Sequence, residues 1–208
     1  VAFQNALAYA KDRLQMRSLS GAKAPYKAAD PIIVHPDVRK MLLTAKAYAE
    51  GGRALALYCT LLLDKERHHP DATVRQESAE MVALLTPIVK AFLTDNGHIS
   101  TNACLQVFGG HGFIKEWGME QYARDNRINM IYEGTNTIQS LDLLGRKVLG
   151  NNGATLTKFG KLIAALVAEE GVNEKMAEFI NPLAQLGEQM TKFTTEIGFK
   201  GFQNPDEV

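Results

Sequence analysis

One carboxylate lies in a segment whose neighbours suit acid–base chemistry. Glu133 follows two apolar residues, Ile131 and Tyr132, and precedes the small polar run Gly134-Thr135-Asn136. A carboxylate that loses hydration beside apolar side chains becomes a stronger base and can act in general base catalysis. Gly134 allows a ligand or another backbone to approach the carboxylate closely. From local chemistry alone, an ordinary loop before a capped helix is the favoured interpretation, and a catalytic Glu133 is the alternative.

The sequence on both sides of this segment predicts helices. Thr135 or Asn136 can cap a helix over 137–149. Apolar residues at three- and four-residue steps predict further helices along the chain, whereas almost nothing is typical of a strand. The sequence therefore predicts an all-α fold: an antiparallel up-and-down bundle of the four-helix type, followed by a helical extension. The other predicted helices are 1–18, 36–67, 72–95 (ended by Asn96-Gly97), 100–108, 116–127, 154–169 and 173–199.

Composition excludes several classes of function. The 208 residues are 46% hydrophobic and carry 23 basic and 23 acidic residues, so no basic face is evident for nucleic acid. The apolar runs are short and interrupted by charge, which predicts no membrane span. The two cysteines and the pair His68-His69 lack metal-ligand spacing, so we expect no metal. Two buried thiols suit a reducing cytoplasm.

Three other features have a plain structural interpretation beside a functional one. Gly109 and Gly110 break the helix that ends near Phe108, and such glycines either end a helix or allow another molecule to come close. Arg13 lies near the end of the first predicted helix, where the helix dipole favours a solvated cation. Gly51-Gly52, near the middle of the second long helix, indicates a close helix crossing rather than a ligand site.

Three motifs in order and spacing resemble the C-terminal signature of the acyl-CoA dehydrogenase family. They are Gln106-Val107-Phe108-Gly109-Gly110-His111-Gly112-Phe113, then Arg124-Asp125, then Ile131-Tyr132-Glu133-Gly134-Thr135-Asn136. The resemblance implies α,β-dehydrogenation of an acyl-CoA thioester. In that reaction Glu133 would remove the α-proton while a hydride leaves the β-carbon for FAD.

The resemblance also implies the other site residues. The backbone N–H of Glu133 would stabilise the thioester oxygen, and Gly134 would leave room for the thioester. Residues that match FAD-contacting positions of the family are Arg13, Gln106, Gly109, Gly110, Thr135, Asn136 and Thr137. Three positions depart from the pattern: Met16 stands where many relatives have Phe followed by Gly, Pro36 where many have a flavin-contacting Gln, and Thr137 where some have Gln.

The stretch 20–39 resembles a subgroup that carries a C-terminal extension and includes the methylmercaptopropionyl-CoA dehydrogenases. Residues 1–149 would then form the family's C-terminal bundle and 150–208 the start of the extension, with a linker at Gly150-Asn151-Asn152-Gly153. Both ends look cut, and we expect an excised fragment that binds FAD weakly and does not turn over by itself. Its helices at 154–169 and 173–199 should form a hairpin with an exposed apolar seam.

The implied partners are an acyl-CoA, electron-transfer flavoprotein as electron acceptor, and further copies of the chain in a dimer or tetramer. An acyl-CoA oxidase, which uses the same carboxylate and flavin, is a close rival. A non-catalytic helical module for oligomerisation or binding is the rival from another class.

Overall fold

The computed structural model describes residues 1–204 and residue 206, and within them every regular element is helical. This confirms the predicted all-α class. The long helices are α1 (Ala2–Asp12), α2 (Pro36–His68), α3 (Ala72–Val107), α5 (Met119–Arg127), α7 (Ala154–Glu170) and α8 (Ala177–Gln203), with the short α4 (Gly110–Phe113) and α6 (Asn136–Leu141). Single 3₁₀ turns cover Ile32–Val34, Lys115–Trp117, Ile128–Met130, Leu149–Asn151 and Glu174–Met176, and a π-helical segment covers Asp142–Val148. No helix in this part of the chain is both long and apolar enough to cross a membrane.

The helices group into two compact units. The first unit contains Val1–Thr60 and Val89–Asn136, and the second contains Leu61–Ile88 and the residues from Thr137 onward. Because α2 and α3 each run through both units, neither unit is a continuous stretch of sequence. Glu133 and the predicted flavin positions up to Asn136 lie in the first unit, whereas Thr137 lies in the second.

Small residues on α1 let it pack closely in the core of the first unit. Ala6 and Ala10 are completely buried, one turn apart on the face that meets the core. The other buried members of this core come from the turn before α2, from α2, α3 and α5, and from the residue directly after α3: Ile32, Val38, Leu42, Ala45, Cys104, Val107, Phe108 and Met119. Burial raises the pKa of the Cys104 thiol to about 11, so this cysteine is a neutral core residue.

The close helix crossing predicted at Gly51-Gly52 is confirmed at the second glycine. A Cβ on Gly52 would lie 2.9 Å from Cδ2 of Leu93 on α3, whereas a Cβ on Gly51 would meet nothing within 4 Å. The missing side chain of Gly52 therefore allows α2 and α3 to approach, and Gly51 has no such task.

The predicted break at Asn96-Gly97 is wrong, because α3 continues to Val107. A Cβ on Gly97 would lie 3.0 Å from the side chain of Asn126 on α5, so this glycine makes room for a packing neighbour. Ser100 and Thr101 donate their hydroxyls to the carbonyls of Asn96 and Gly97 one turn earlier, so their polar groups are satisfied within the helix. Tertiary packing here outweighs the weak helix propensity of Asn-Gly.

The first helix is shorter than predicted, since it ends at Asp12 and not at Ser18. Arg13 has extended backbone angles, φ −63° and ψ 119°. Beyond it, Leu14 pairs with Pro31 in an isolated antiparallel bridge. The amides of Gln15 and Ile32 then donate to the carbonyls of Asp30 and Arg13, both at 2.9 Å. These hydrogen bonds with a distant segment replace the next helical turn.

The helix predicted over 137–149 forms, but with a changed geometry. Its first part, α6, begins at Asn136, and from Asp142 the turns widen to a π-helix that ends at Val148. Gly145 lies inside the widened segment, where its low helix propensity weakens regular α geometry.

The extension predicted after the linker forms a helical hairpin in the second unit. Helices α7 and α8 contact each other, and a Cβ on Gly187 of α8 would lie 3.9 Å from Cγ2 of Ile163 on α7. The expected apolar seam is also present, at seven-residue spacing on α8. Phe179, Leu186 and Phe193 are each more than half exposed.

Candidate active site

The segment that carries Glu133 is a turn with two successive left-handed residues. Glu133 has φ +57° and Gly134 has φ +82°. Glycine adopts such angles freely, but a residue with a side chain does so at a cost of about 1 kcal/mol. The preceding 3₁₀ turn leads into it, with the amides of Ile131 and Tyr132 both donating to the carbonyl of Ile128. A non-glycine residue held in this conformation is a feature typical of functional sites.

The Glu133 side chain is exposed on this chain. The described residues therefore do not shield this carboxylate from water, although its apolar sequence neighbours predict such shielding. The loss of hydration at Glu133 stays a prediction, for a protein in which a ligand or a further chain covers the turn.

A polar network ties the exit of this turn to α3. The ammonium of Lys90 donates to the carbonyl of Gly134 at 2.7 Å and to Oδ1 of Asn136 at 2.8 Å. The amide of Asn136 donates to Asp95 at 2.7 Å and to the hydroxyl of Thr94 at 3.1 Å. The side chain of Asn136, predicted to contact FAD, therefore anchors the turn. The sequence alone did not indicate a role for Lys90, Thr94 or Asp95, because their hydrogen-bond partners lie about 40 residues away along the chain.

Four of the predicted cofactor residues line one open groove in the first unit. Arg13, Gln106, Gly109 and Gly110 all face a space of about 1180 Å³. Gly109 has φ +58°, and a Cβ on either glycine would meet nothing within 4 Å, so the backbone is accessible there. The groove also contains three further cationic residues, Arg17, Lys23 and Arg39.

The other predicted site residues do not line this groove. Glu133, Gly134, Thr135 and Asn136 are not among its described lining residues. Gly134 and Asn136 are half-buried in the turn, while Thr135 is exposed. Thr137 is exposed at the start of the second unit.

An aromatic cluster lies beside the groove and contributes Tyr9, Phe108 and His111 to its lining. The imidazole of His111 stacks on Trp117, with ring centroids 4.7 Å apart and an angle of 11° between the rings. Its Nδ1 shares a hydrogen bond of 2.9 Å with the hydroxyl of Tyr9, whose ring stacks on Phe108 at 4.1 Å. The sequence analysis assigned His111 no role. The signal that could have indicated one is the pair of aromatic residues, Phe108 and Trp117, on either side of the glycine break.

The long loop before α2 is folded around one buried carboxylate. Asp30 is completely buried, and its oxygens accept hydrogen bonds from the amides of Ser18, Lys23 and Ala24 at 2.9, 2.9 and 2.7 Å. The guanidinium of Arg17 lies 3.2 Å from Oδ1 of Asp30. The amide of Ser18 is the main cause that holds the pKa of Asp30 well below its ordinary value; the other two amides and Arg17 add to it against the opposing effect of burial. Asp30 thus orders a loop that contributes Ser18, Ser20 and Lys23 to the groove.

Comparison with known proteins identifies the family of this arrangement. The model of the acyl-CoA dehydrogenase C-terminal domain matches residues 1–149, a range that contains the groove, the Glu133 turn and the network that anchors it. The chain belongs to the acyl-CoA dehydrogenase family.

Individual relatives agree with this membership. The chain is 47% identical over 168 residues to a 3-methylmercaptopropionyl-CoA dehydrogenase of Ruegeria pomeroyi, an alignment that covers 81% of the chain and 28% of that protein. It is 35% identical over 178 residues to a broad-specificity linear acyl-CoA dehydrogenase, FadE5, of Mycobacterium tuberculosis, covering 84% of the chain and 29% of the relative. The chain thus spans less than a third of the length of these relatives.

A solved structure shows the same fold. The crystal structure of Caenorhabditis elegans ACDH-11, determined in complex with C11-CoA, aligns with 98% of the chain and 32% of its own length. The TM-score is 0.79 and the sequence identity 20%. At this identity the likeness concerns the fold.

Proposed function

We propose that this chain is the C-terminal part of an FAD-dependent acyl-CoA dehydrogenase and carries its catalytic base. The observation that carries the proposal is a carboxylate, Glu133, held in left-handed backbone beside Gly134 within the region that the family model matches. The short coverage of each relative supports the existence of a longer protein, of which residues 1–149 are the C-terminal bundle and 150–208 the start of a helical extension.

The groove of the first unit has the character needed to hold part of FAD. FAD carries a negatively charged diphosphate and flat rings. Arg13 supplies a cation, and Gly109 and Gly110 leave their backbone open to close approach. Gln106 adds a polar side chain on the same wall. In our proposal these four residues contact FAD, and Thr135, Asn136 and Thr137 contact it from the Glu133 segment.

The chemistry follows from the positions of the two groups on Glu133. Its carboxylate removes the α-proton of the acyl chain, and its backbone N–H donates to the thioester oxygen, on which negative charge develops. Gly134 leaves space for the thioester beside these groups. FAD, when bound, supplies the acceptor for the β-hydrogen as a hydride. The task of this chain is to hold base and donor in a fixed mutual orientation.

The substrate is an acyl-CoA thioester, and electron-transfer flavoprotein is the electron acceptor that we propose. We also propose a homo-oligomer, a dimer or tetramer, and a cytoplasmic location. The family of the chain supports the first three, and the two free cysteines, Cys59 and Cys104, agree with a reducing compartment.

An anaerobic titration of the full-length protein with acyl-CoAs tests this function. We expect its bound FAD to lose its visible absorbance on addition of a suitable acyl-CoA. A methylthio-propionyl thioester and linear thioesters of increasing length would be compared in the same experiment. Bound FAD that none of them reduces would contradict the proposal and favour a binding module. Rapid reoxidation of the reduced enzyme by oxygen, without electron-transfer flavoprotein, would favour an oxidase.

A further inference from the structure

The turn that carries Glu133 needs an external anchor. Two successive residues with positive φ give it a backbone conformation that a free segment would adopt only part of the time. The 3₁₀ turn before it supplies local hydrogen bonds on the entry side. On the exit side, Gly134 and Asn136 form hydrogen bonds with Lys90 and Asp95 of α3.

Lys90 is the centre of that anchor. Its half-buried ammonium donates to two acceptors at once, the Gly134 carbonyl and Oδ1 of Asn136. A hydrogen bond with an ionised donor is stronger and shorter than a neutral one, and both distances are below 2.9 Å. The first acceptor belongs to the backbone of the residue directly after Glu133, so Lys90 holds the turn itself.

The orientation of Asn136 makes the anchor specific. Its amide oxygen faces the Lys90 cation, while its amide nitrogen faces the Asp95 carboxylate. A rotated amide would place NH₂ against an ammonium and an oxygen against a carboxylate, both of which are repulsive. The hydroxyl of Thr94 accepts from the same nitrogen at 3.1 Å and donates to the carbonyl of Lys90 one turn earlier at 2.8 Å. The network therefore admits one arrangement of the turn relative to α3.

We infer that Lys90 is a positioning residue for the catalytic base: it fixes the turn so that the carboxylate and the backbone N–H of Glu133 keep the orientation that proton removal requires. This inference rests on the proposed role of Glu133. Lys90 acts through the backbone and does not touch the reacting atoms in this account.

The test compares Lys90→Met with Lys46→Met in the full-length protein with FAD bound. Lys46 is an exposed lysine on α2 that pairs with Glu50. The rate of flavin reduction at saturating acyl-CoA, the apparent Kd for acyl-CoA and the flavin content would be measured anaerobically. For Lys90→Met we expect the rate to fall roughly 10- to 100-fold, because a small misplacement of a reacting group has this effect. The Kd for acyl-CoA should change less than about threefold, since most binding comes from parts of the substrate remote from the reacting carbons. Flavin content should change as little, because Lys90 does not line the groove that contains Arg13, Gln106 and the glycine pair.

Two further variants separate positioning from a purely structural role. Lys90→Arg keeps the positive charge and several N–H donors, so its rate should lie closer to that of the parent than to that of Lys90→Met. Thr94→Val removes one hydrogen bond of Asn136 without changing charge, and should lower the rate about threefold or more. This variant decides the question if Lys90→Met retains too little flavin for measurement.

The outcomes distinguish this inference from the proposed function. An unchanged rate per bound flavin in Lys90→Met or, where that variant loses its flavin, in Thr94→Val would overturn the positioning role. The proposed function would still stand after that result, provided that Glu133→Gln is inactive in the same assay. Full activity of Glu133→Gln would instead overturn the proposed function, and the positioning role with it.

Discussion

The hydroxyl of Tyr9 on α1 and Nδ1 of His111 on α4 form a hydrogen bond of 2.9 Å across 102 residues of sequence. The bond joins the helix that ends at Arg13 to the glycine segment that contains Gly109 and Gly110. Both partners line the groove that we propose for FAD. The geometry of the groove therefore depends on a contact between two residues for which the motifs assign no role.

Replacing Tyr9 by Phe should remove this bond and leave the packing intact. The ring would still stack on Phe108, so only the net value of one part-buried hydrogen bond is lost, about 1 kcal/mol in the free energy of unfolding. Urea unfolding followed by circular dichroism measures the change. Tyr26→Phe is the matched control, because Tyr26 is 85% exposed. Equal effects of the two substitutions would show that the Tyr9–His111 bond does not stabilise the protein.

Two neighbouring glycines should respond differently to alanine. A Cβ on Gly112 would clash with the carbonyl oxygen of Leu105, so Gly112→Ala must displace backbone and should lower the melting temperature by about 4 °C or more. A Cβ on Gly110 meets nothing within 4 Å, and Gly110→Ala should leave the melting temperature within about 1 °C.

The same Gly110→Ala variant tests the groove. Its methyl group would enter the space in which we place FAD, so the flavin affinity of the full-length protein should fall about 10-fold. Fluorescence titration of the apoprotein with FAD measures this. An unchanged affinity with an unchanged melting temperature would mean that FAD does not approach Gly110.

The glycine pair on α2 provides a test of packing. Gly51→Ala should stabilise the protein by up to about 1 kcal/mol, since alanine is the better helix former and its methyl meets no neighbour. Gly52→Ala gains the same propensity but forces Leu93 to move. Its free energy of unfolding should therefore be lower than that of Gly51→Ala. The order would be reversed if the crossing of α2 and α3 at Leu93 were absent in solution.

The helical pattern of this chain was predictable where one face of a helix meets one core. The bounds 36–67 predicted for α2 differ by one residue from the observed Pro36–His68, because its apolar stripe is long and regular. The prediction of a helix end at Asn96-Gly97 was wrong because glycine can either end a helix or make room for a neighbour inside one. The packing of Gly97 against Asn126 is not visible in the local sequence. The end of α1 was misplaced because its last predicted turn pairs with residues 30–32.

The site residues were likewise predictable only where a local motif indicates them. Motif resemblance gathered Arg13, Gln106 and the glycine pair, and the structure brings them to one groove. Lys90 could not be found in this way, because a lysine within a helix has no local feature that indicates a hydrogen bond to residues 44 and 46 positions later. Long-range polar contacts of this kind leave no periodic pattern in the sequence.

Asp30 should determine both the order and the acid sensitivity of the loop before α2. Replacement by Asn removes the charge that three backbone amides and Arg17 stabilise. Trypsin should then cleave after Lys23 and Lys27 about 10-fold faster or more. Asp64→Asn, an exposed position on α2, is the control. Equal cleavage rates would show that the loop is ordered by other contacts.

The pH dependence follows from the lowered pKa of Asp30. Because its folded-state value lies below the ordinary value of 3.8, the stabilisation is fully present above that pH and is lost as the pH falls further toward the folded-state value. Protection of the loop against an acid-active protease should therefore decrease below about pH 3.8 in the parent. Protection in Asp30→Asn should not depend on this titration.

The central claim is that Glu133 removes the α-proton, and the rate of flavin reduction in Glu133→Gln tests it most directly. The measurement is a single anaerobic turnover of the full-length protein with a substrate acyl-CoA, with Glu50→Gln on α2 as the matched control. Loss of the base should slow flavin reduction by at least about 100-fold, while FAD and acyl-CoA still bind. Glu50→Gln should behave as the parent does. Flavin reduction by Glu133→Gln at the parent's rate would contradict the account and assign the base to another residue.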